Sequence, residues 1–133
     1  MIIVVVGVLG VLFALFDAIW LKTTNKYYRK ELGGFLRKKP NMLAVVLFYI
    51  MYTLGVTWLV LYPALTQHWS MVAVLVQGAV LGGFAYATYD LTNLATIKNW
   101  PTRLVIIDIL WGTALTTGAT CLAFILLEGW FTW

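Results

Sequence analysis

Four long apolar stretches divide this chain of 133 residues. A helix needs about 20 mostly apolar residues to cross the hydrocarbon core of a bilayer, which is about 30 Å thick. The four stretches run from about Ile2 to Leu21, Met42 to Tyr62, Met71 to Ala95 and Leu104 to Leu127. We therefore predict an all-α membrane protein, in which residues 1–133 form a single domain built as a bundle of four transmembrane helices.

The composition excludes the other broad classes of protein. Hydrophobic residues make up 62% of the chain and charged residues only 11%, whereas a soluble domain carries about 25% charged residues. The high apolar content also excludes a disordered chain. Cys121 is the single cysteine, so the chain can form neither an internal disulfide nor a cysteine-rich metal site, and we predict no metal site.

The basic residues are distributed very unevenly among the connectors. All nine Lys and Arg residues lie in residues 22–39 or 98–103, and none lies in residues 63–70. The positive-inside rule places the first and third connectors in the cytoplasm and both termini on the opposite side of the cell membrane. Because topology explains the positive charge, we expect the lipid bilayer, and no nucleic acid, as a partner.

Residues 22–39 form the longest polar segment. Tyr28 and Leu32 share a helical face opposite several basic residues, which is the pattern of a helix that lies in the membrane surface. Gly33 and Gly34 interrupt this pattern, since glycine disfavours the interior of a helix. We predict a cytoplasmic basic loop here, containing one short helix and a turn.

Three of the five acidic residues fall inside predicted transmembrane helices: Asp17, Asp90 and Asp108. A charged aspartate at the centre of such a helix costs about 2.5–3.5 kcal/mol, so acids in the membrane generally serve a function. Asp17 lies five residues before Lys22, Asp108 lies five residues after Arg103, and Asp90 lies eight residues before Lys98. All three acids thus fall in the cytoplasmic half of the bilayer. We predict that they form one polar cluster and are the candidate catalytic residues.

Helical periodicity indicates which other residues join this cluster. Tyr86 and Asn93 share the Asp90 face of the third helix, where Gly78 and Gly82 allow another helix to approach closely. Further candidates for substrate or ion binding are Tyr89 and Thr92, which flank that face, and Tyr49 in the second helix, where Tyr52 and Thr53 lie at matching depth. Such a cluster can hold a protonated aspartate, bridge it to a hydroxyl group, or bind a cation between two carboxylates. Polar residues also hold membrane helices together, and the sequence does not choose among these roles.

The third helix carries a specific motif, GGFAYATYDLTNLAT over residues 82–96, which continues through Trp100 to Asp108 and Trp111. Together with FDAIWL over residues 16–21 and the pair Tyr28-Arg29, this sequence resembles a family of small bacterial membrane proteins, domain-of-unknown-function family 2177. The resemblance covers the whole chain and implies a multi-pass protein of the bacterial inner membrane. It implies no activity, but it draws attention to the same acids and to Trp111, which completes the set of candidate binding residues.

Three functions fit these observations. The first is a membrane-embedded enzyme acting on a lipid or isoprenoid-like substrate, with Asp90 and Asp108 as acid and base. The second is a proton- or cation-coupled carrier, in which the same acids bind the ion and copies of the chain associate through Gly78 and Gly82. The third is an accessory subunit whose acids meet polar groups on a partner helix. The sequence identifies neither a substrate nor a cofactor.

Overall fold

A computed structural model describes residues 1–131 of the chain, and these residues form helices and turns without strands. The helices are α1 (Ile2–Leu32), α2 (Met42–Val56), α3 (Tyr62–Thr66), α4 (Met71–Thr96) and α5 (Thr102–Leu127). A π-helical segment, Thr57–Leu61, joins α2 to α3, and 3-10 turns at Gly33–Phe35 and Glu128–Trp130 follow α1 and α5. Four continuous helical stretches among these residues are long and apolar enough to cross a membrane. The predicted all-α bundle with four spans is therefore confirmed.

Local sequence signals set where the later helices begin. The side chain of Asn41 accepts a hydrogen bond from the backbone N–H of Ala44 at 3.3 Å, which caps α2. Ser70 caps α4 in the same way, with its hydroxyl oxygen 3.2 Å from the backbone nitrogen of Ala73. Such caps satisfy N–H groups that have no partner inside the helix. Pro101 directly precedes α5, where its missing N–H leaves no hydrogen bond unmade.

The first helix is longer than the sequence suggested. It continues past Leu21 to Leu32, so the basic segment 22–39 begins as an extension of α1 and not as a separate loop. Leu32 is buried in a small apolar cluster that includes Trp100 and Leu104, at the connector between α4 and α5. The apolar face that the sequence assigns to the membrane surface therefore packs on the protein itself.

The second span also extends further than predicted, because Pro63 does not end it. A proline lacks the N–H that bonds the carbonyl four residues earlier, and its ring collides with that carbonyl in a regular α-helix. The π-helical segment Thr57–Leu61 lies just before Pro63. Its wider turn gives the ring room, so the chain stays helical to Thr66.

The helices pack in the order α2, α1, α5 and α4, and the contact between α4 and α5 is the most extensive. Gly82 makes this approach possible, since a Cβ atom there would lie 2.6 Å from Cβ of Thr116. A Cβ atom on Gly78 would lie 3.2 Å from Cα of Thr117. Both glycines are buried against α5 of the same chain. The close approach that these glycines allow therefore occurs within one chain, and association of copies through Gly78 and Gly82 stays a prediction.

The two halves of the bundle differ in how tightly they close. We call the half nearer the α4–α5 connector, residues 97–101, the inner half. In the outer half, buried residues such as Leu9, Leu65 and Phe124 form a continuous apolar core. There the π-helical segment brings the second span against α4, whereas α2 itself packs mainly on α1. A gap therefore remains between α2 and α4 in the inner half.

The distribution of basic residues predicts an orientation that can be measured. We expect a reporter at the C-terminus to lie on the non-cytoplasmic side and a reporter inserted after Arg37 to lie in the cytoplasm, because basic segments resist translocation. Paired fusions to alkaline phosphatase and green fluorescent protein measure the two locations. A C-terminal fusion that fluoresces in the cytoplasm would contradict this orientation.

Candidate functional site

A cavity of about 400 Å³ occupies the inner half of the bundle, at the gap between α2 and α4. It is lined by Asp17, Trp20, Leu21 and Tyr28 of α1, Phe48 and Tyr52 of α2, Ala85, Tyr86 and Tyr89 of α4, and Asp108 and Trp111 of α5. Small-molecule sites in proteins have volumes of about 300–1,000 Å³. Within the described part of the chain, no Lys, Arg or His lines this cavity. The site therefore combines aromatic walls with two carboxyl groups.

Asp17 joins three helices at one wall of the cavity. The Tyr49 hydroxyl of α2 donates a hydrogen bond to its Oδ2 atom. The indole N–H of Trp111 in α5 donates to its Oδ1 atom, with the two heavy atoms 3.2 Å apart. Both carboxyl oxygens of Asp17 thus have a donor, and these bonds fix the direction in which the carboxyl group points.

Asp108 is held by a tyrosine from the inner extension of α1. The Tyr28 hydroxyl donates to Oδ1 of Asp108 at 2.9 Å, and the indole nitrogen of Trp20 lies 3.4 Å from the Tyr28 oxygen. The Trp20 ring stacks on Trp111, with 4.4 Å between centroids and 3° between planes. Because Trp111 also bonds Asp17, one chain of contacts links the two acids.

Asp90 occupies a different environment from the other two acids. Its side chain is fully buried, with 0% of its surface exposed. No donor among the described residues lies within hydrogen-bond distance of either carboxyl oxygen. Its neighbour among the ionisable groups is Asp108 of α5, and the two carboxyl groups interact electrostatically.

Two tyrosines build the wall toward the outer half. The Tyr52 hydroxyl lies 2.5 Å from the Thr116 hydroxyl, and its ring meets Tyr86 edge to face with 6.2 Å between centroids. The Tyr86 ring lies flush against Gly112, where a Cβ atom would overlap the ring. Glycine at this position of α5 therefore makes room for Tyr86 in the wall.

The structure brings most, but not all, of the predicted site residues together. Asp17, Asp108, Tyr86, Tyr89 and Trp111 line the cavity. Tyr49 and Asp90 lie directly behind that lining. Tyr49 donates a hydrogen bond to Asp17, and Asp90 neighbours Asp108.

Thr92 and Asn93 lie outside the cavity lining. Successive residues of an α-helix are rotated by about 100°, so Thr92 stands on nearly the opposite side of α4 from Asp90. The Thr92 side chain is exposed, and its hydroxyl donates to the backbone carbonyl of Thr88. Asn93 is half-buried near the inner end of α4. We expected both residues to contact a ligand; neither lines this cavity, and that role stays a prediction.

Sequence reasoning missed Tyr28 and Trp20 as site residues. The sequence pattern places Tyr28 on a helix at the membrane surface, because the predicted first span ends at Leu21. Trp20 has the position of an aromatic residue that sets the depth of a helix in the bilayer. Both residues belong to the segments that carry the family resemblance, and that membership is the available signal.

The comparisons with known proteins identify a family without naming an activity. No curated protein and no solved structure matches the chain. The model of a family described as predicted membrane protein, DUF2177, matches residues 2–125. This range includes Asp90 and every residue that lines the cavity. It also includes all or nearly all of each of the four spans. The chain is therefore a multi-pass membrane protein that belongs to the DUF2177 family.

Proposed function

We propose that this protein is an enzyme of the bacterial inner membrane that binds a lipid-like molecule in the inner cavity and transfers protons to and from it. The observation that carries the proposal is the sideways opening of the cavity between α2 and α4. Phe48 and Tyr89 stand at this opening, and they are 47% and 59% exposed. A molecule dissolved in the bilayer can reach the acids through this opening without leaving the hydrocarbon.

The lining of the cavity suits an amphipathic molecule. Rings of tyrosine, tryptophan and phenylalanine cover most of the wall, and they pack well against an acyl or isoprenoid chain. The few polar groups converge on one region around Asp17 and Asp108. This arrangement of apolar wall and localised polar groups orients a ligand with its reactive end at the acids.

The acids supply a proton donor and a proton acceptor. The adjacent carboxyl groups of Asp90 and Asp108 can share one proton, as paired acids do in other enzymes, because two ionised carboxylates in contact repel each other. In our proposal this pair protonates the substrate. Asp17, whose two hydrogen bonds come from neutral donors, is the acceptor on the other side of the cavity.

The packing of the outer half favours an enzyme over a carrier. Beyond Tyr52 and Thr116 the interior is mainly apolar: Phe13, Leu115 and Ala119 are completely or almost completely buried, and the polar side chains buried there are threonines such as Thr57 and Thr120, without a carboxyl group. An ion or polar solute would have to cross this core to reach the other side of the membrane. In this arrangement Asp17 and Asp108 line a cavity that the outer half of the bundle closes off from the other side of the membrane.

Blocking the cavity tests the proposal. Ala85 lines the cavity, so Ala85→Trp is expected to fill it and to remove a lipid-like molecule that co-purifies with the wild-type protein. Ala95→Trp is the matched control, because Ala95 is a residue of the same helix outside the cavity lining. Mass spectrometry of organic extracts from the purified proteins measures the retained molecule. Equal retention by wild type and both variants would contradict binding in this cavity.

The lipid composition of whole membranes distinguishes an enzyme from a protein that only binds. Asp90→Asn keeps the size of the side chain and its capacity for hydrogen bonds but cannot supply a carboxyl proton. Membranes of cells expressing the wild type should therefore contain a lipid product that is absent from cells expressing Asp90→Asn at the same level. Identical lipid profiles from the two strains would refute the enzymatic role.

A further inference from the structure

We infer that the group held against the acids is an amine that carries a positive charge once it is protonated, so that the ligand is an amphiphilic amine. The inference rests on the proposed binding of a lipid-like molecule in the inner cavity and specifies its chemical class. It depends on two features of the cavity: an excess of carboxyl groups and a wall of aromatic faces.

The carboxyl groups of the site have no cationic partner among residues 1–131. Asp17 and Asp108 are hydrogen-bonded by neutral tyrosine and tryptophan side chains. Asp90, which is completely buried against Asp108, has no donor at all in this part of the chain. The next basic residues along α1, Lys22 and Lys26, are exposed and do not line the cavity. A cation is the ligand whose charge complements this surplus of acid.

The aromatic walls favour the same kind of ligand. The face of an aromatic ring carries partial negative charge and attracts ammonium groups, most strongly where water is excluded. The stacked indoles of Trp20 and Trp111 stand beside Asp17, and Tyr86 forms the wall toward the outer half. Rings on several sides together with a nearby carboxylate are the arrangement by which proteins recognise quaternary ammonium groups.

The cavity also explains why an ammonium group would need a hydrocarbon tail. The opening between Phe48 and Tyr89 faces sideways, where an apolar tail can extend into the bilayer while the head group lies at the acids. Burial of such a tail contributes favourable free energy in proportion to its apolar area. Small hydrophilic amines lack this contribution and should bind weakly.

Three probes with the same tail and different head groups test the inference. Dodecyltrimethylammonium, dodecanol and dodecyl sulfate are titrated into wild-type protein held in nanodiscs of zwitterionic lipid, with empty nanodiscs as the blank. We expect the cationic probe to bind about tenfold more tightly than the neutral one, and the anionic probe to bind most weakly. This comparison uses the wild-type protein, so it does not depend on the folding of a variant.

Substitution of one acid then locates the effect. Asp108→Asn should weaken binding of the cationic probe about tenfold and leave dodecanol binding unchanged. Glu128→Gln removes the same charge from an exposed residue at the outer end of the bundle and should change neither affinity.

The outcomes separate this inference from the proposed function. If the three probes bind equally and Ala85→Trp abolishes binding of all of them, the cavity binds lipid-like molecules but has no preference for a cation, and the inference is wrong. If no probe binds above the blank, both the inference and the proposed cavity function fail. A cationic preference that survives Asp108→Asn would also overturn the inference, because the charge would then be recognised elsewhere.

Discussion

Replacing Gly82 with alanine is expected to lower the free energy of unfolding of the bundle by about 1–3 kcal/mol. An added Cβ atom would lie 2.6 Å from Cβ of Thr116 and 2.8 Å from the backbone carbonyl oxygen of Gly112. A backbone atom cannot rotate away, so α4 and α5 must separate along their most extensive contact. Denaturant or thermal unfolding of the purified protein in detergent, followed by circular dichroism, measures the loss.

The control for this prediction lies on the facing helix. A Cβ atom added to Gly118 of α5 would meet no other part of the protein within 4 Å, and alanine is the better helix former by about 1 kcal/mol. Gly118→Ala should therefore leave stability unchanged or raise it. If Gly82→Ala were as stable as Gly118→Ala, the close α4–α5 contact described above would be incorrect.

Replacing Asp90 with leucine is expected to leave the fold as stable as the wild type or to stabilise it by up to about 1–3 kcal/mol. A buried polar group without a satisfied hydrogen bond costs about that much, and Asp90 has no donor among the described residues. Leucine has a similar size and removes the buried carboxyl. The measurement is again unfolding in detergent, with the lipid profile of the expressing cells as the second readout, which should match that of Asp90→Asn.

Asp17→Leu provides the contrast, because it removes an acceptor that binds both Tyr49 and Trp111. Two hydrogen bonds between membrane helices contribute about 0.6 kcal/mol each, so this variant should lose about 1 kcal/mol. A stability gain at Asp90 together with loss of activity would mean that this acid is retained for function at the expense of stability. A large loss of stability in Asp90→Leu would show that Asp90 has a structural role instead.

The sequence predicted which acids to examine but not what holds them. An aspartate in a long apolar stretch is conspicuous, because every such residue carries an insertion cost. The shared depth of Asp17 and Asp108 followed from their distance to the basic residues that flank the membrane. Their partners could not be predicted in the same way, since Tyr28 reaches Asp108 across 80 positions of the sequence.

The end of the first span shows why the helix boundaries were harder to predict than the number of spans. Basic residues from Lys22 onward indicated the edge of the hydrocarbon, and that edge is a property of the bilayer. The helix itself has no reason to end there, because Leu32 is buried against Trp100 and Leu104. This packing places Tyr28 in the lining of the cavity, so a helical turn outside the predicted span supplies a site residue.

The sequence by itself determined the class of protein, the number of helical spans and the three acids within them, because hydropathy and charge respond directly to the surrounding lipid. Apart from the Gly78, Gly82 and Asp90 face of α4, which small and polar residues indicated in the sequence, the tertiary structure alone decided which side of each helix faces the interior. Lipid tails are as apolar as a protein core, so hydrophobic residues cover all sides of a membrane helix and their pattern does not mark the buried one. Close contacts between helices, such as that of Gly82 with Thr116, identify the buried side instead. They determine that Tyr86 faces the cavity while Thr92 does not.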